Sequence, residues 1–302
     1  MDLKSKIILI YGPTASGKSD FAIKLAKKIN GEIINADSMQ VYKDLKILTA
    51  RPFKNNYQKV KHHLYGFLDG KKIFSTGDWL KLATKKIYEI RRRKKIPILV
   101  GGTGLYFEAL VEGLVEIPII PSTLRNKVRR LQKVSGQKKF YKKLLKIDPF
   151  LIDKIKSTDT QRSIRAYEVK IFTNRSITEW HENTKSDFKK KDFYKLIIDF
   201  PRPDLIQKIN LRTIEMFEKG VTLEVKRFLK LGVPKVRSIS KAIGVLEIKE
   251  FLKIKADKNS VIEKISIKTR QYAKRQMTWA RGHMIRWKKI KPNHLNNFLK
   301  KV

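Results

Sequence analysis

A glycine-rich segment near the N-terminus limits the possible fold more than any other part of the sequence. Residues 12–19 read GPTASGKS and match the pattern GxxxxGK[ST]. The apolar run 6–11 before this segment predicts a buried strand, and residues 20–29 after it have the apolar spacing of a helix. A loop in this position is typical of polyphosphate-binding proteins, because its backbone amides and the helix N-terminus face the phosphate oxygens.

This loop predicts a role for each of its residues. The Lys18 ammonium would reach the outer phosphate, and the Ser19 hydroxyl would bind Mg²⁺. Nucleoside triphosphates are the commonest ligands of such loops, but a diphosphate ester would satisfy the same donors. The predicted phosphate-binding residues are Gly12, Pro13, Thr14, Ala15, Ser16, Gly17, Lys18 and Ser19.

Further strands are predicted at residues 32–36, 96–100 and 194–200, with helical patterns before and after them. The sequence therefore predicts an α/β fold, a parallel sheet flanked by helices. Residues 113–191 are strongly basic and mostly helical, with predicted helices at 125–134, 138–145 and 160–172, and the sheet resumes after them. We therefore expect a core domain of residues 1–112 and 192–302 with basic C-terminal helices, interrupted by a helical insertion domain of residues 113–191.

Composition excludes several classes of chemistry. The 302 residues contain no cysteine, so disulfides, thiolate zinc sites, iron–sulfur clusters and cysteine nucleophiles are all excluded. The adjacent His62 and His63 have no third ligand at metal spacing, which favours a structural role. The apolar run near the start is far shorter than the roughly 20 residues of a membrane helix, so we expect a cytoplasmic protein without a membrane anchor.

The charge of the chain predicts a polyanionic partner. A formal net charge of +41 favours nucleic acid, although a lysine-rich composition could also reflect an AT-rich genome. The distribution of charge favours the first explanation, because residues 264–302 contain no acidic residue.

Polar residues follow two of the predicted strands and are expected at the same edge of the sheet, where ligands bind in open α/β folds. Asp37 follows the second strand and could act as a general base, or it could only cap the next segment. Thr103 follows the third strand, within GGTGLY. Together with the phosphate loop 12–19, these two loops would converge on one crevice.

Two basic segments are candidates for RNA contacts. Residues 158–165 combine an acidic helix start with glutamine and arginine side chains. Residues 269–281 interleave cations with Tyr272 and Trp279, as backbone binding with base stacking would require. The alternative is that these aromatic rings pack into the core.

In this order the segments closely resemble the tRNA dimethylallyltransferases, also called bacterial-type tRNA isopentenyltransferases. The resemblance covers nearly the whole chain and rests on GPTASGKS (12–19), INADSMQVY (34–42), TARP (49–52), HHL (62–64), GGTGLY (101–106), DTQR (159–162), AIG (242–244) and TRQYAKRQMTW (269–279). It implies transfer of a dimethylallyl group from dimethylallyl diphosphate to N6 of adenosine 37, in tRNAs that read codons starting with U. Mg²⁺ is the implied cofactor, and a monomer is expected.

The resemblance also implies roles for individual residues. Asp37 matches the family's catalytic base, and residues 12–19 would hold the diphosphate of the prenyl donor. Thr103 matches a residue that contacts tRNA and lines the donor channel, so Asp37, Thr103 and Lys18 are the predicted catalytic residues. The predicted tRNA-binding residues are Asp37, Ser38, Met39, Gln40, Thr103, Arg125, Gln161, Arg162, Ser163, Ile164, Arg165, Arg270, Lys274 and Arg275.

Some positions depart from the family pattern. Arg51 replaces a lysine of GTAKP, Lys208 stands where arginine is frequent, and Val245 and Leu246 replace the tyrosine and lysine of AIGYKE, a segment associated with tRNA. Two other functions remain open at this point: a small-molecule or nucleoside kinase, and a non-catalytic RNA-binding ATPase. Neither accounts for all features, since a kinase needs no acid-free basic tail and an ATPase leaves Asp37 and Thr103 unexplained.

Overall fold

Five consecutive apolar residues form the strand at the centre of the protein. The computed structural model describes residues 3–57, 59–182, 184–254 and 257–302. Strand β1 (Ile7–Tyr11) is completely buried, because helices cover both faces of the sheet. Its side chains alternate between two hydrophobic layers, with Ile7, Leu9 and Tyr11 in one and Ile8 and Ile10 in the other.

The strands in the described part of the chain form one parallel sheet of six strands. After β1 they are β2 (Gly31–Asn35), β3 (His62–His63), β4 (Ile96–Gly101), β5 (Phe193–Ile198) and β6 (Lys288–Ile290). Their spatial order is β3-β2-β4-β1-β5-β6. Strand β4 therefore lies between β1 and β2, which brings the loops after these three strands to one edge. This architecture confirms the predicted α/β fold.

Helices connect and cover the strands. Those within the sheet-containing part are α1 (Lys18–Lys28), α2 (Thr76–Arg92), α3 (Gly104–Glu112), α7 (Arg202–Glu218), α8 (Val221–Lys230), α9 (Val245–Ile254), α10 (Lys258–His283) and α11 (Leu295–Lys300). The intervening helices are α4 (Ser122–Ile147), α5 (Thr160–Thr173) and α6 (Ile177–Glu182). None of the helices in the described residues has both the length and the apolar composition that crossing a membrane requires.

The described residues form two compact units. One comprises Met1–Val111 and Phe188–Val302 and contains the sheet, and the other comprises Glu112–Asp187. The sequence-based boundary lay after residue 191, whereas the sheet-containing unit resumes at Phe188. The reason is local packing, since the Phe188 ring lies 5.4 Å from that of Tyr88 and 5.9 Å from that of Phe193.

The second unit is helical in its described residues and has its own apolar core. Val128 and Phe140 of α4 pack with Ile164 of α5. Helix α4 is interrupted at Gly136, which has φ 71° and ψ 161°. A positive φ suits glycine because it has no Cβ. This interruption explains why the sequence pattern predicts two helices, at 125–134 and 138–145.

Strands β3 and β6 were not predicted. They have two and three residues, HH and KKI, which is too short for an alternating or continuously apolar pattern to be recognised. Each forms by backbone pairing with a longer neighbouring strand, β3 with β2 and β6 with β5.

Glu32 on β2 is a buried acidic residue that joins the sheet to a cluster of cations. Its carboxylate accepts hydrogen bonds from Arg93 Nη2 at 2.8 Å and His63 Nε2 at 2.7 Å, and Lys95 Nζ lies 3.5 Å away. Burial alone would raise the pKa of Glu32, but the hydrogen bonds from Arg93 and His63 outweigh it and lower the pKa to about 2. The ionised carboxylate therefore stabilises the fold.

We expect Glu32→Gln to lower the free energy of unfolding at pH 7 by up to about 3 kcal/mol. Because the Glu32 pKa is lowered, this stabilisation is complete above the ordinary glutamate pKa and is lost as the pH falls towards 2. The free energy of unfolding of the variant should therefore fall less between pH 7 and pH 3 than that of the wild type. Urea unfolding at pH 7 and pH 3 measures both effects. Glu89→Gln, which removes the partner of Lys86 at a more exposed position, is the control and should change little. Equal stability of Glu32→Gln and wild type at pH 7 would contradict the argument.

Candidate functional site

The phosphate loop leaves the central strand β1 and ends at the first turn of α1. Gly17 directly precedes α1 with φ 74°, a conformation that favours glycine. The Ser16 side chain is buried, and its Oγ has no hydrogen-bond partner among the described residues. The Lys18 Nζ donates to the Pro13 carbonyl at 3.1 Å, so the lysine folds back over the loop. The loop thus connects β1 to α1, as the GxxxxGK[ST] pattern predicts.

Lys18 lies among charged groups from distant parts of the chain. Burial lowers its pKa to about 8, while attraction by Asp37 acts in the opposite direction and repulsion by Arg212 adds to the lowering. Burial also lowers the pKa of Arg212, to about 10, with Asp37 again opposing. The Arg212 Nε is buried and has no hydrogen-bond partner in the described part of the chain. Lys18, Asp37 and Arg212 thus form a charge cluster beside the phosphate loop.

Arg212 is not among the residues predicted from the sequence. It lies on α7, in a stretch without a recognisable motif, and 175 residues separate it from Asp37 in a chain rich in arginine and lysine. Only the packing of α7 brings it to the phosphate loop. Because its buried Nε has no hydrogen-bond partner among the described residues, Arg212 is a candidate for binding an anion together with Lys18.

The two carboxylate oxygens of Asp37 have different surroundings. Its Oδ1 accepts hydrogen bonds from the backbone N–H groups of Met39 at 2.9 Å and Gln40 at 3.3 Å. Its Oδ2 has no hydrogen bond to the residues that the structure describes. Asn35 holds the Asp37 backbone by a reciprocal pair of bonds of 2.9 and 3.0 Å. The capping and catalytic interpretations are therefore compatible, because each uses a different oxygen.

Thr103 ties the loop after β4 to the loop after β2. Its Oγ1 accepts a hydrogen bond from the Ser38 backbone N–H at 3.0 Å and lies 3.3 Å from the Ser38 hydroxyl. Gly101 allows this close approach, since a Cβ there would lie 1.9 Å from the Ala36 carbonyl oxygen. The structure thus brings Thr103, Ser38 and Asp37 together.

Gln276 on α10 is a second residue that the sequence analysis left without a role. Its Oε1 accepts a hydrogen bond from the Thr14 backbone N–H at 2.9 Å, and its Nε2 donates to the Gly102 carbonyl at 2.8 Å. The side chain is buried and connects the phosphate loop with the loop that carries Thr103. A buried glutamine on a basic helix was the available signal, but its partners could not be deduced from spacing.

The other residues predicted in the 38–40 loop have structural partners. Gln40 Nε2 donates to the carbonyls of Thr49 at 2.9 Å and Ala50 at 3.2 Å, which holds the loop that contains TARP. Met39 packs against the apolar cluster around Val41. Their predicted contacts with tRNA stay predictions.

The aromatic residues of α10 differ in their surroundings. Trp279 packs on the buried core, with its ring 6.3 Å from that of Tyr11 and stacked on His283 at 4.3 Å. Tyr272 is half-buried, and burial together with the negative charge of Asp37 raises its pKa. Trp279 therefore packs into the core, whereas Tyr272 lies near the charge cluster. The predicted RNA-binding cations on this helix are half-buried or exposed: Arg270, Lys274 and Arg275.

In the helical unit, the predicted tRNA-binding segment has two kinds of residue. Gln161, Arg162 and Arg165 of α5 are exposed. Ser163 and Ile164 are buried, and the Ser163 hydroxyl donates to the Asp159 carbonyl. Contacts of these two side chains with RNA are thus disfavoured, because they belong to the core of the unit. The exposed Arg125 of α4 lies beside the buried Glu168.

A metal held by protein side chains alone is not supported in the described residues, where no group of three or more His, Cys, Asp or Glu residues is arranged for one. His63 is bound to Glu32, and His62 is stacked on Tyr57 at 3.8 Å. Mg²⁺ commonly takes one or two protein ligands and completes its coordination with substrate phosphates and water. The half-buried Ser19 hydroxyl at the start of α1 fits this mode.

A phosphate loop after the central strand of a parallel sheet defines the class, a P-loop-type α/β protein. The sequence profile of the IPP transferase family matches residues 40–283. A tRNA dimethylallyltransferase of Pelagibacter ubique (strain HTCC1062) is 60% identical over 302 residues, which are 100% of this chain and 96% of that protein. One of Rickettsia massiliae (strain Mtu5) is 43% identical over 93% of this chain and 78% of its own length. This chain therefore belongs to the IPP transferase family.

Solved structures agree with this assignment. A eukaryotic dimethylallyltransferase acting on tRNA superposes with a TM-score of 0.81 at 29% identity, over 95% of this chain and 73% of that chain. The full-length tRNA isopentenylpyrophosphate transferase of Bacillus halodurans superposes with a TM-score of 0.69 at 30% identity, over 98% and 95% of the two chains. The family resemblance inferred from the motifs is confirmed.

Proposed function

We propose that this protein transfers the dimethylallyl group of dimethylallyl diphosphate to N6 of adenosine 37 in tRNA. The observation that carries the proposal is the cluster of Lys18, Asp37 and Arg212 beside the phosphate loop, in a member of the IPP transferase family. It combines cations for a diphosphate with a carboxylate for a proton. The kinase alternative is not favoured by the family assignment, and it leaves the basic tail unexplained.

The reaction forms an N–C bond and breaks a C–O bond. The adenine N6 attacks the allylic carbon C1, and the diphosphate leaves with the electrons of the C1–O bond. Lys18, Arg212 and the loop amides stabilise the negative charge that develops on the diphosphate. N6 becomes positively charged as the bond forms, and Asp37 Oδ2 accepts one of its protons. The products are N6-(dimethylallyl)adenosine and diphosphate.

Mg²⁺ fits this site through Ser19 together with diphosphate oxygens, and it would supply additional charge neutralisation for the leaving group. Thr103 and Gln276 act on the shape of the site. Thr103 holds the Ser38 backbone next to Asp37, and Gln276 holds the Thr14 backbone in the phosphate loop. Hydrogen bonds of these two side chains thus connect the loop that carries Asp37, the loop that carries Thr103 and the phosphate loop.

The tRNA partner is supported by the charge distribution. Helix α10 carries exposed cations such as Lys274 and Arg275, and the acid-free segment 264–302 includes most of this helix. Adenosine 37 lies in the anticodon loop, where bases can leave the stack to reach an active site. One chain carries both the diphosphate site and Asp37, so the proposal requires only a monomer, and the tRNA substrate implies a cytoplasmic location.

The test is a pair of parallel incubations of the purified protein with unmodified tRNA and Mg²⁺. One contains labelled dimethylallyl diphosphate, and the other contains γ-labelled ATP. Nucleoside analysis should show N6-prenyladenosine in the first reaction only. ATP turnover without a prenylated nucleoside would overturn the proposal and favour a kinase or an RNA-stimulated ATPase.

A further inference from the structure

A buried glutamate in the helical unit lies beneath a group of exposed arginines. Glu168 of α5 is 3% exposed at its side chain, whereas Arg125, Arg129 and Arg165 are 46%, 50% and 44% exposed. Arg125 and Arg129 are one turn apart on α4, and Arg165 precedes Glu168 by about one turn on α5. The packing of α4 on α5 thus gathers these guanidinium groups around one carboxylate.

The distances show that the carboxylate attracts the arginines without accepting hydrogen bonds from their N–H groups. The shortest approaches to its oxygens are 3.9 Å from Arg125 Nε, 3.7 Å from Arg129 Nε and 4.0 Å from Arg165 Nη1. A charge-assisted hydrogen bond would be about 2.7–2.9 Å long. The Glu168 Oε1 has no hydrogen-bond partner among the described residues. The N–H groups of the arginines therefore stay available to a second anion.

The charge of the cluster also favours an anion. Three guanidinium groups and one carboxylate leave a local charge of about +2, and arginine donors match the oxygens of a phosphate. Burial raises the pKa of Glu168, while Arg125, Arg129 and Arg165 act to lower it. A buried carboxylate is costly unless cations compensate it, so its presence restricts where the arginines can lie.

We propose that Glu168 is a positioning residue that holds Arg125, Arg129 and Arg165 together as one site for a backbone phosphate of the tRNA, an inference that rests on the proposed function. The family resemblance implied tRNA contacts for Arg125 and Arg165, whereas Arg129 and Glu168 belong to none of the motifs. Glu168 acts on the RNA only through the arginines.

Glu168→Gln separates positioning from simple charge. The substitution raises the net charge by one, so tRNA should bind more tightly if Glu168 only reduces the positive potential. If Glu168 positions the arginines, the substitution should cost at least one charge-assisted hydrogen bond from an arginine to the tRNA phosphate. The affinity for tRNA should then fall at least about tenfold. Asp153→Asn makes the same change of charge at an exposed position of this unit and should leave affinity equal or slightly higher.

Arg129→Ala tests the site independently of the buried residue. Its matched control is Arg130→Ala, which removes an equal charge from the next exposed position of α4. Arg129→Ala should weaken tRNA binding more than Arg130→Ala and reduce the slope of log affinity against log salt by about 0.7 to 0.9. Product formation at limiting tRNA should fall in Arg129→Ala together with the affinity, and it should stay closer to the wild-type rate in Arg130→Ala.

Filter binding with unmodified tRNA, thermal melting and product formation are measured on the full chain. Unchanged or tighter tRNA binding by Glu168→Gln, at a wild-type melting temperature, would overturn the inference. If that variant melts early, the Arg129→Ala and Arg130→Ala pair decides, and equal affinities overturn it. Wild-type protein that binds tRNA but forms no prenyladenosine would instead contradict the proposed function.

Discussion

The Asp37→Asn variant is expected to form product about 10²–10⁴ times more slowly than wild type, while it still binds tRNA and dimethylallyl diphosphate. The asparagine side chain can keep the Oδ1 acceptor that binds the backbone N–H groups of Met39 and Gln40. It cannot accept the proton that N6 must lose. Asparagine therefore removes the chemistry and leaves the loop conformation.

Single-turnover kinetics with enzyme in excess measure this effect without interference from product release. Asp37→Ala is the comparison, because it removes the cap as well as the base. We expect it to lose turnover at least as strongly and to bind tRNA less well than Asp37→Asn. A normal single-turnover rate in Asp37→Asn would show that another group, or water, takes the proton.

The Lys18→Ala variant is expected to lose a factor of about 10²–10³ in kcat/KM for dimethylallyl diphosphate. The ammonium group is the cation of the phosphate loop itself, and Arg212 alone cannot replace it because its position is set by another helix. Affinity for tRNA should be nearly unchanged. Lys24→Ala removes the same charge from the exposed face of α1 and serves as the control. Similar donor kinetics in the two variants would contradict the assignment of Lys18.

The pH dependence of donor binding provides a second measurement on the same residue. Burial lowers the Lys18 pKa to about 8, so the free enzyme loses this positive charge above that pH. The diphosphate binds the protonated amine, and KM for the donor should therefore rise by up to tenfold per pH unit above about pH 8. This rise should be absent from Lys18→Ala. A wild-type KM that stays constant between pH 7 and pH 9.5 would show that the ammonium does not bind the donor.

Local sequence patterns were sufficient for the elements that carry the site. The predicted strand at 6–11 became Ile7–Tyr11, and the predicted helix at 160–172 became Thr160–Thr173. Such segments are predictable because a buried strand needs a continuous apolar run and a helix needs a repeating apolar face. The end of β2 likewise put Asp37 at the carboxyl edge of the sheet, where the structure has it.

Side-chain partners far apart in the chain were not predictable. Gln276 binds Thr14 across 262 residues, and Arg212 reaches the charge of Asp37 from α7. Neither contact follows a spacing rule, because it depends on how whole helices pack on the sheet. The same limit applies to Ser163 and Ile164, which motif reasoning assigned to tRNA and which the helical unit buries.

The sequence by itself determined the phosphate loop, the parallel sheet, the basic character of the chain and the family to which it belongs. These features are encoded in short segments whose chemistry is local. The tertiary structure alone decided that Asp37 uses one oxygen as a cap and leaves the other free, that Arg212 joins Lys18, and that Glu168 lies beneath Arg129. Those outcomes depend on burial and on distances between elements, which are set by the packing of the complete chain.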